Sequence, residues 1–178
     1  MGQKWFRAFA LSLLVVSFGT LSPAFATGDD ATLDEIRTGP ITHLPLPRYV
    51  SMKASKGNAR RGPSVTHRID WVFMRRNMPL QITAEHGHWR RVVDQEGVGG
   101  WIHHSLLSGV RTVLIQRDML DIHSRPNDKA PITAQLEMGV VARLDQCLPD
   151  WCRVQVAGYK GWAPKTALWG VDKAELRD

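Results

Sequence analysis

The chain has 178 residues, of which 43% are hydrophobic and 22% are charged, and its formal net charge at pH 7 is +6. Beyond the N-terminus no stretch is long and apolar enough to span a membrane. The basic residues are spread along the chain, and for a protein outside the cytoplasm this balance favours anionic surfaces over nucleic acid as partners. A basic surface that only aids solubility explains the charge equally well.

The N-terminus has the three parts of a secretory signal peptide. Lys4 and Arg7 are basic, residues 8–21 are almost uninterruptedly apolar, and Ala24-Phe25-Ala26 is a small-x-small cleavage sequence. The apolar run of about 14 residues is shorter than the ~20 that a membrane-spanning helix needs. We therefore expect residues 1–26 to be a signal peptide cleaved near Ala26, and the mature protein to be periplasmic or secreted. A retained N-terminal anchor is the alternative.

Residues 27–47 form the next segment. They are rich in Thr, Gly, Asp and Pro, show no sustained period, and end in Leu44-Pro45-Leu46-Pro47. This composition is typical of a leader or linker with polyproline-like character near its end.

The rest of the chain contains the same phrase twice. His88-Trp89-Arg90-Arg91-Val92 is followed by Gly100-Trp101-Ile102, and Asp150-Trp151-Cys152-Arg153-Val154 is followed by Gly161-Trp162-Ala163. The copies lie about 61 residues apart, which indicates that one small module was duplicated. The expected organisation is a first domain at 48–109, a second domain at 110–172, and a tail at 173–178 that is a charged helical turn or a frayed end.

Both modules have the pattern of short β-strands. Matching turn phrases occur at Arg61-Gly62-Pro63-Ser64 and Arg125-Pro126-Asn127-Asp128, and hairpins close at Glu96-Gly97 and Ala157-Gly158. No ten-residue segment after the signal peptide has a convincing helical stripe. Many short strands with frequent turns are typical of small β-barrels or sandwiches. The predicted strands include residues 71–74, 91–93, 112–115, 140–144 and 153–156.

The order of these motifs resembles a bacterial SH3-like domain. Arg-Gly-Pro-Ser, a β-rich stretch, Trp-x-x-Val, Gly-Trp and a closing Leu follow one another in the first module, and most of them recur in the second. The resemblance is strongest to exported tandem proteins whose second copy ends in a phrase like Leu168-Trp169-Gly170-Val171. It implies an all-β fold, with two tandem SH3-like small β-barrels after a cleaved signal peptide.

Cys147 and Cys152 are the two cysteines of the chain. An oxidising compartment favours their pairing, and the four residues between them suit a hairpin. Cys152 shares a strand face with Val154, whereas Cys147 falls on the face of Arg143 and Asp145, so direct pairing needs a bulge in one strand. We predict a structural disulfide, with free or redox-active thiols as the alternative.

Four histidines lie in matched turn regions of the first module, namely His86, His88, His103 and His104. Clustered imidazoles could bind a transition metal. Solvated turn sequence explains the same residues, and the second module has Pro164-Lys165 in place of His103-His104. We therefore assign no metal site and no cofactor.

The tryptophans differ by position. An offset of three residues along a strand separates Trp89 from Val92, and Trp151 from Val154, so each tryptophan points outward if the valine points inward. An exposed indole beside an arginine can stack on a sugar ring or a peptide, and the resemblance points to the same aromatic position. The candidate binding residues are Trp89, Arg91, Trp151 and Arg153. Burial of Trp89 and Trp151 between the modules is the alternative, and Trp101 and Trp162 are expected to be packing residues.

The sequence predicts a binding protein rather than an enzyme. No Cys/His, Ser/His/Asp or carboxylate pair has a spacing that argues for catalysis, and the segments outside the two modules are far too short for a hydrolase fold. The resemblance implies peptidoglycan or its stem peptides as the ligand class. A protein adaptor of the cell envelope, with an exported protein or peptide as its partner, is the alternative, and the oligomeric state stays open.

Overall fold

The computed structural model describes residues 37–178, so the expected signal peptide and the first part of the leader lie outside the described residues. Within this range the chain forms a short hairpin and two seven-stranded antiparallel sheets, each curled into a small barrel. The all-β prediction is confirmed: the remaining regular structure is two single 3₁₀ turns. No helix in the described part of the chain is long and apolar enough to cross a membrane.

Barrel 1 and barrel 2 have the same topology. The spatial strand order is β5-β4-β8-β7-β6-β3-β9 in the first and β12-β11-β15-β14-β13-β10-β16 in the second, which confirms the duplication. The strands of barrel 1 are β3 Arg48–Met52, β4 Gly57–Arg60, β5 Ile69–Phe73, β6 Pro79–His86, β7 Trp89–Val93, β8 Gly99–His103 and β9 Leu107–Ser108. Those of barrel 2 are β10 Thr112–Ile115, β11 Leu120–His123, β12 Ile132–Leu136, β13 Val141–Cys147, β14 Trp151–Val156, β15 Tyr159–Pro164 and β16 Leu168–Trp169.

Each barrel has its own hydrophobic core. The core of barrel 1 includes Met52, Leu80, Ile82, Val92 and Ile102, and alternation along β7 buries Val92 completely while Trp89 faces outward. The second core repeats the pattern with Val154 on β14. Burying each such aliphatic side chain contributes roughly 1.5–3 kcal/mol to the free energy of folding. Because side chains alternate between the two faces of a strand, a buried valine also determines which face its neighbours occupy.

A bulge occurs at the same place in both barrels. The register shifts between Ile82 and Ala84 in the β6–β7 pair, and between Leu144 and Gln146 in the β13–β14 pair. In barrel 2 the bulge brings Cys147 opposite Cys152, with 4.1 Å between their Cα atoms, and the two form a disulfide. The predicted disulfide and the bulge that it requires are both confirmed.

The end of the leader is more structured than the sequence predicts. β1 (Arg37–Thr38) and β2 (Pro45–Leu46) form a two-stranded antiparallel hairpin instead of a polyproline-like linker. Leu46 is buried in the core of barrel 1, and the Glu85 carboxylate accepts hydrogen bonds from the backbone N–H groups of Ile41 and Thr42. These partners lie more than forty residues away in sequence, so they leave no local pattern.

The C-terminal tail is neither a helical turn nor frayed. The backbone of Arg177 exchanges two hydrogen bonds with Cys147, at 2.8 and 3.0 Å. The Lys165 ammonium group donates to the carbonyl oxygens of Lys173 and Glu175, at 3.0 and 2.6 Å. The tail is therefore tied to barrel 2 by backbone groups, which charge patterning alone does not reveal.

Tyr49 of barrel 1 packs against Trp169 of barrel 2. Their rings meet edge to face, with 5.4 Å between centroids, and the Arg111 guanidinium lies 5.5 Å from the centre of the tyrosine ring. Gly170 follows with a φ of +108°, which a glycine adopts without strain. The Leu-Trp-Gly-Val phrase thus forms a contact between the barrels.

Candidate ligand-binding grooves

Trp89 and Trp151 lie at corresponding positions on the outer faces of their barrels. Trp89 is paired across the β7–β8 ladder with His103, and Trp151 is paired across the β14–β15 ladder with Pro164. Both indoles are half-buried. Each lines a groove formed by residues of its own barrel, so the alternative of burial between the two barrels is wrong.

The groove at Trp89, called the Trp89 groove below, has a volume of about 480 Å³. It lies between strand β4, the long loop at residues 61–68, and the hairpin that carries Trp89. Two basic side chains and several apolar ones suit it to a ligand with carboxylates and flat apolar faces. Its lining consists of Lys56, Asn58, Arg60, Val65, Trp89, His103 and Leu106.

The groove at Trp151, called the Trp151 groove below, has a volume of about 610 Å³. It uses the corresponding loop through Asp128 and the corresponding ladder through Trp151 and Pro164. Its charge is mixed, because Asp128 and Asp150 face it together with Lys165 and Lys173. The two grooves therefore share an indole and a position but differ in electrostatic character.

Arg91 lies on the same strand face as Trp89 and lines a neighbouring depression of about 390 Å³. Arg60 lines both this depression and the Trp89 groove, so the two form one basic strip. Asp70 also lines the depression, and its carboxylate accepts hydrogen bonds from Arg68 and Arg61, which lower its pKa. The strip presents an excess of cationic groups to a ligand.

Arg153 is exposed on the outer face of β14, opposite Trp162 of β15. The indole of Trp151 meets the His123 ring edge to face, with 5.9 Å between centroids, and His123 is itself fixed by a 2.8 Å hydrogen bond to the Ala130 carbonyl oxygen. Arg153 thus shares one strand face with Trp151, as Arg91 does with Trp89.

Trp101 and Trp162, expected to be packing residues, pack on the outer surface of the barrels and not in the cores. Both are half-buried on the outer faces, opposite Arg91 and Arg153, and neither belongs to the core clusters of the described residues. The glycine of the Gly-Trp phrase is what the fold requires. A Cβ atom on Gly161 would lie 2.9 Å from the Cβ of Ile122, closer than two packed side chains approach.

Sequence reasoning missed the contribution of β4 and its loop to the Trp89 groove. Lys56, Arg60 and Val65 line it, although they lie more than twenty residues before Trp89. The basic pair Arg60-Arg61 at the start of the turn through Gly62, Pro63 and Ser64 was a usable signal, because a turn of this kind returns the chain to the neighbouring strand. Arg90, in contrast, is buried and lies 3.4 Å from the Glu85 carboxylate.

The structure brings three of the four histidines of barrel 1 together. His88, His103 and His104 have ring centroids 4.8 to 5.8 Å apart, whereas His86 lies against the Trp101 ring. Desolvation lowers the pKa of His104, and the neighbouring charges of His103, Arg90 and His88 lower it further. The imidazole of His104 is therefore neutral at and above neutral pH.

Comparison with known proteins identifies the fold. The family model described as "Bacterial SH3 domain" matches residues 53–109 and again residues 116–170, together more than half of the chain. No curated protein matches the chain significantly.

Solved structures that the chain matches include two proteins of Trichomonas vaginalis, NlpC2 and NlpC1, and an NlpC/P60 family protein of Bacillus cereus. The identities are 16%, 14% and 12%, and the TM-scores are 0.33, 0.33 and 0.32. The matches cover 71%, 74% and 68% of this chain, and 50%, 48% and 55% of those structures. The chain thus spans about half of their length.

Proposed function

The chain belongs to the bacterial SH3 domain family, and on that premise we propose that it is an exported, non-catalytic protein that binds peptidoglycan or its wall peptides through both barrels. Domains of this family bind cell-wall components and are usually extracellular or periplasmic. The observation that carries the proposal is the duplicated groove, with Trp89 in one barrel and Trp151 at the corresponding position of the other.

The chemistry of the grooves fits this ligand class. Peptidoglycan offers sugar rings, whose flat apolar faces stack on indoles, and stem peptides, whose carboxylates attract guanidinium groups. Trp89 supplies the first contact, while Arg60 and Arg91 supply the second along the basic strip. In barrel 2 the corresponding pair is Trp151 and Arg153, which lie on one strand face.

A protein adaptor is the second candidate, and one specific observation favours it. Strand β5 is an edge of its sheet and exposes several apolar side chains, among them Trp71 at 47% and Ile69 at 41%. Such an edge can accept an added strand from a protein partner. The adaptor would then use β5 rather than the two grooves.

Co-sedimentation with purified peptidoglycan sacculi tests the proposal. We expect the wild type to bind and the folded Trp89→Ala/Trp151→Ala double variant to lose most of the binding. Trp71→Ala is the matched control, because it removes an exposed indole outside both grooves, and it should bind as the wild type does.

Three results would count against the proposal. Absence of binding by the wild type removes wall recognition, and loss of binding by Trp71→Ala alone transfers the interaction to β5. Release of soluble fragments from sacculi by the purified wild type contradicts the assignment as a non-catalytic protein.

A further inference from the structure

His88, His103 and His104 lie close together because the β6–β7 turn meets the end of β8. The backbone N–H of His104 donates to the carbonyl oxygen of His88 at 2.9 Å, and this bond fixes the two segments to each other. The centroid separations are 4.8 Å for His103–His104, 5.6 Å for His88–His104 and 5.8 Å for His88–His103. One ring nitrogen from each histidine lies within 4.8 Å of those of the other two.

We propose that His88, His103 and His104 form a binding site for a divalent transition metal, with Zn²⁺ as the best-fitting ion. Imidazole nitrogen is a preferred ligand of Zn²⁺, and three protein ligands with a fourth, open position are a common zinc arrangement. Zn–N bonds of about 2.0–2.1 Å in a tetrahedron require nitrogens about 3.4 Å apart. The exposed side chains of His88 and His104 can rotate to bring the ring nitrogens from within 4.8 Å to this shorter spacing.

Ser105 orients one of the proposed ligands. Its Oγ lies 2.7 Å from Nδ1 of His103, and its backbone N–H donates to the same nitrogen at 3.4 Å. Metal binding through Nε2 requires the tautomer with its proton on Nδ1, and that proton is then donated to the Oγ. Hydrogen bonds of this kind fix the tautomer and the ring orientation of metal-bound histidines. Ser105 is thus a positioning residue for the site.

The charge of Arg90, which acts on His104, is partly compensated by a carboxylate. Arg90 is buried, with its Nε 3.4 Å from the Glu85 carboxylate and its Nη1 donating to the carbonyl oxygens of Gly87 and Trp89. The Glu85 carboxylate, which also pairs with Arg48, offsets part of the guanidinium charge, and the hydrogen bonds hold this group in place. A divalent cation at the histidines is therefore less strongly opposed than the mere presence of Arg90 suggests.

The site belongs to barrel 1 alone and adjoins its groove. Pro164 and Lys165 occupy the positions of His103 and His104 in barrel 2, and neither supplies an imidazole. His103 also lines the Trp89 groove, so a metal there would lie at the groove's edge with its open position available to an oxygen of a bound ligand.

Titration of the untagged, metal-free protein with Zn²⁺ by calorimetry tests the proposal, with the visible absorption of added Co²⁺ as the report of tetrahedral geometry. We expect one ion per chain and the intense visible bands of tetrahedral Co²⁺. His88→Ala, His103→Ala and His104→Ala should each weaken the affinity by more than about tenfold, and Ser105→Ala by about tenfold.

His86→Ala is the matched control, since His86 is a neighbouring imidazole outside the cluster, and it should leave the affinity unchanged. Histidine-to-glutamine variants, checked by circular dichroism, preserve the volume of the side chain if an alanine variant fails to fold. No stoichiometric binding by the wild type overturns the proposal, as does equal weakening by His86→Ala. Sacculus binding is measured on the metal-free protein, and metal binding is measured without sacculi. Either proposal, wall binding or metal binding, can therefore fail while the other holds.

Discussion

Glu85 is a carboxylate without exposed side-chain surface at one end of barrel 1. It accepts hydrogen bonds from the side chain and backbone of Thr42, from Arg48 and from the backbone of Ile41. Burial by itself would raise the pKa of Glu85, but these hydrogen bonds outweigh it and lower the pKa to about 2. One side chain therefore anchors the β1–β2 hairpin and does so only while it is ionised.

The depressed pKa predicts acid sensitivity with a defined sign. Stability contributed by Glu85 is complete above its ordinary pKa of 4.5 and is lost as the pH falls towards about 2. The full effect is on the order of 3 kcal/mol, since each pKa unit corresponds to about 1.4 kcal/mol. Urea unfolding at several pH values should show Glu85→Gln less stable than the wild type at pH 7, with a flatter dependence between pH 4.5 and 2.

Glu96→Gln is the matched control for this experiment, because Glu96 is an exposed carboxylate in the β7–β8 turn. It should keep the pH dependence of the wild type. An unchanged profile in Glu85→Gln would contradict the role assigned to Glu85.

At the scale of the element, the two barrels stabilise one hairpin position by different chemistry. Glu85 lies opposite Arg90 in the β6–β7 pair, and Cys147 lies opposite Cys152 in the β13–β14 pair, each just after the shared bulge. The Glu85–Arg90 ion pair of barrel 1 therefore occupies the position of the Cys147–Cys152 disulfide of barrel 2. The first is sensitive to acid and the second to reduction.

The disulfide has a modest predicted effect because it closes a very short loop. Cys147→Ser/Cys152→Ser should lower the free energy of unfolding of barrel 2 by about 2 kcal/mol on the chain-entropy estimate. Thermal unfolding of the variant, and of the wild type with and without reductant, measures this. Reductant should have no effect on the variant, and a variant as stable as the oxidised wild type would refute the estimate.

Sequence patterns predict features that depend on neighbours along the chain. The strand at Thr112–Ile115 follows from its content of β-branched residues, and the opposite faces of Trp89 and Val92 follow from period-two alternation. The duplication follows from the repeated phrase. Sequence patterns do not predict features that depend on partners far away in the chain. The hydrogen bonds that join Thr42 to Glu85, and Cys147 to the tail, cross 30 or more residues.

The composition of the grooves was predictable only in part for the same reason. Trp89 and Trp151 stand out in the sequence, because each recurs at the start of a repeated strand. Arg60 reaches the Trp89 groove only through the pairing of β4 with β8, and that register is a tertiary property. In the Gly-Trp phrase the fold requires the glycine, because the absence of a side chain lets two strands approach closely. The sequence does not show that the tryptophan after it lies outside the core.

At the scale of the whole molecule, the barrels are joined by specific contacts rather than by a flexible tether. The rings of Trp169 and Tyr49 meet edge to face, and the Arg111 guanidinium lies 5.5 Å from the centre of the Tyr49 ring. The Thr112 hydroxyl group donates to the Asn77 carbonyl oxygen at 2.8 Å. A fixed spacing of this kind allows two grooves to engage one polymer, which raises the overall affinity without any new contact.

Trp169→Ala tests the coupling of the barrels. Loss of the aromatic pair should lower the free energy of unfolding by about 1–2 kcal/mol and separate the calorimetric transition into two. Trp71→Ala, in an exposed position of β5, should change stability by less than about 0.5 kcal/mol. A single transition at an unchanged temperature in Trp169→Ala would mean that the contact does not couple the barrels.

NMR of the indole N–H signals shows residue by residue whether the duplicated tryptophan grooves bind wall material. Soluble peptidoglycan fragments are titrated into ¹⁵N-labelled protein, with each indole assigned from its single-site variant. We expect saturable shifts at Trp89 and Trp151 and little change at Trp71. Shifts confined to Trp71, or no shifts at Trp89 and Trp151 at millimolar concentrations of the fragments, would rule out binding in the two grooves.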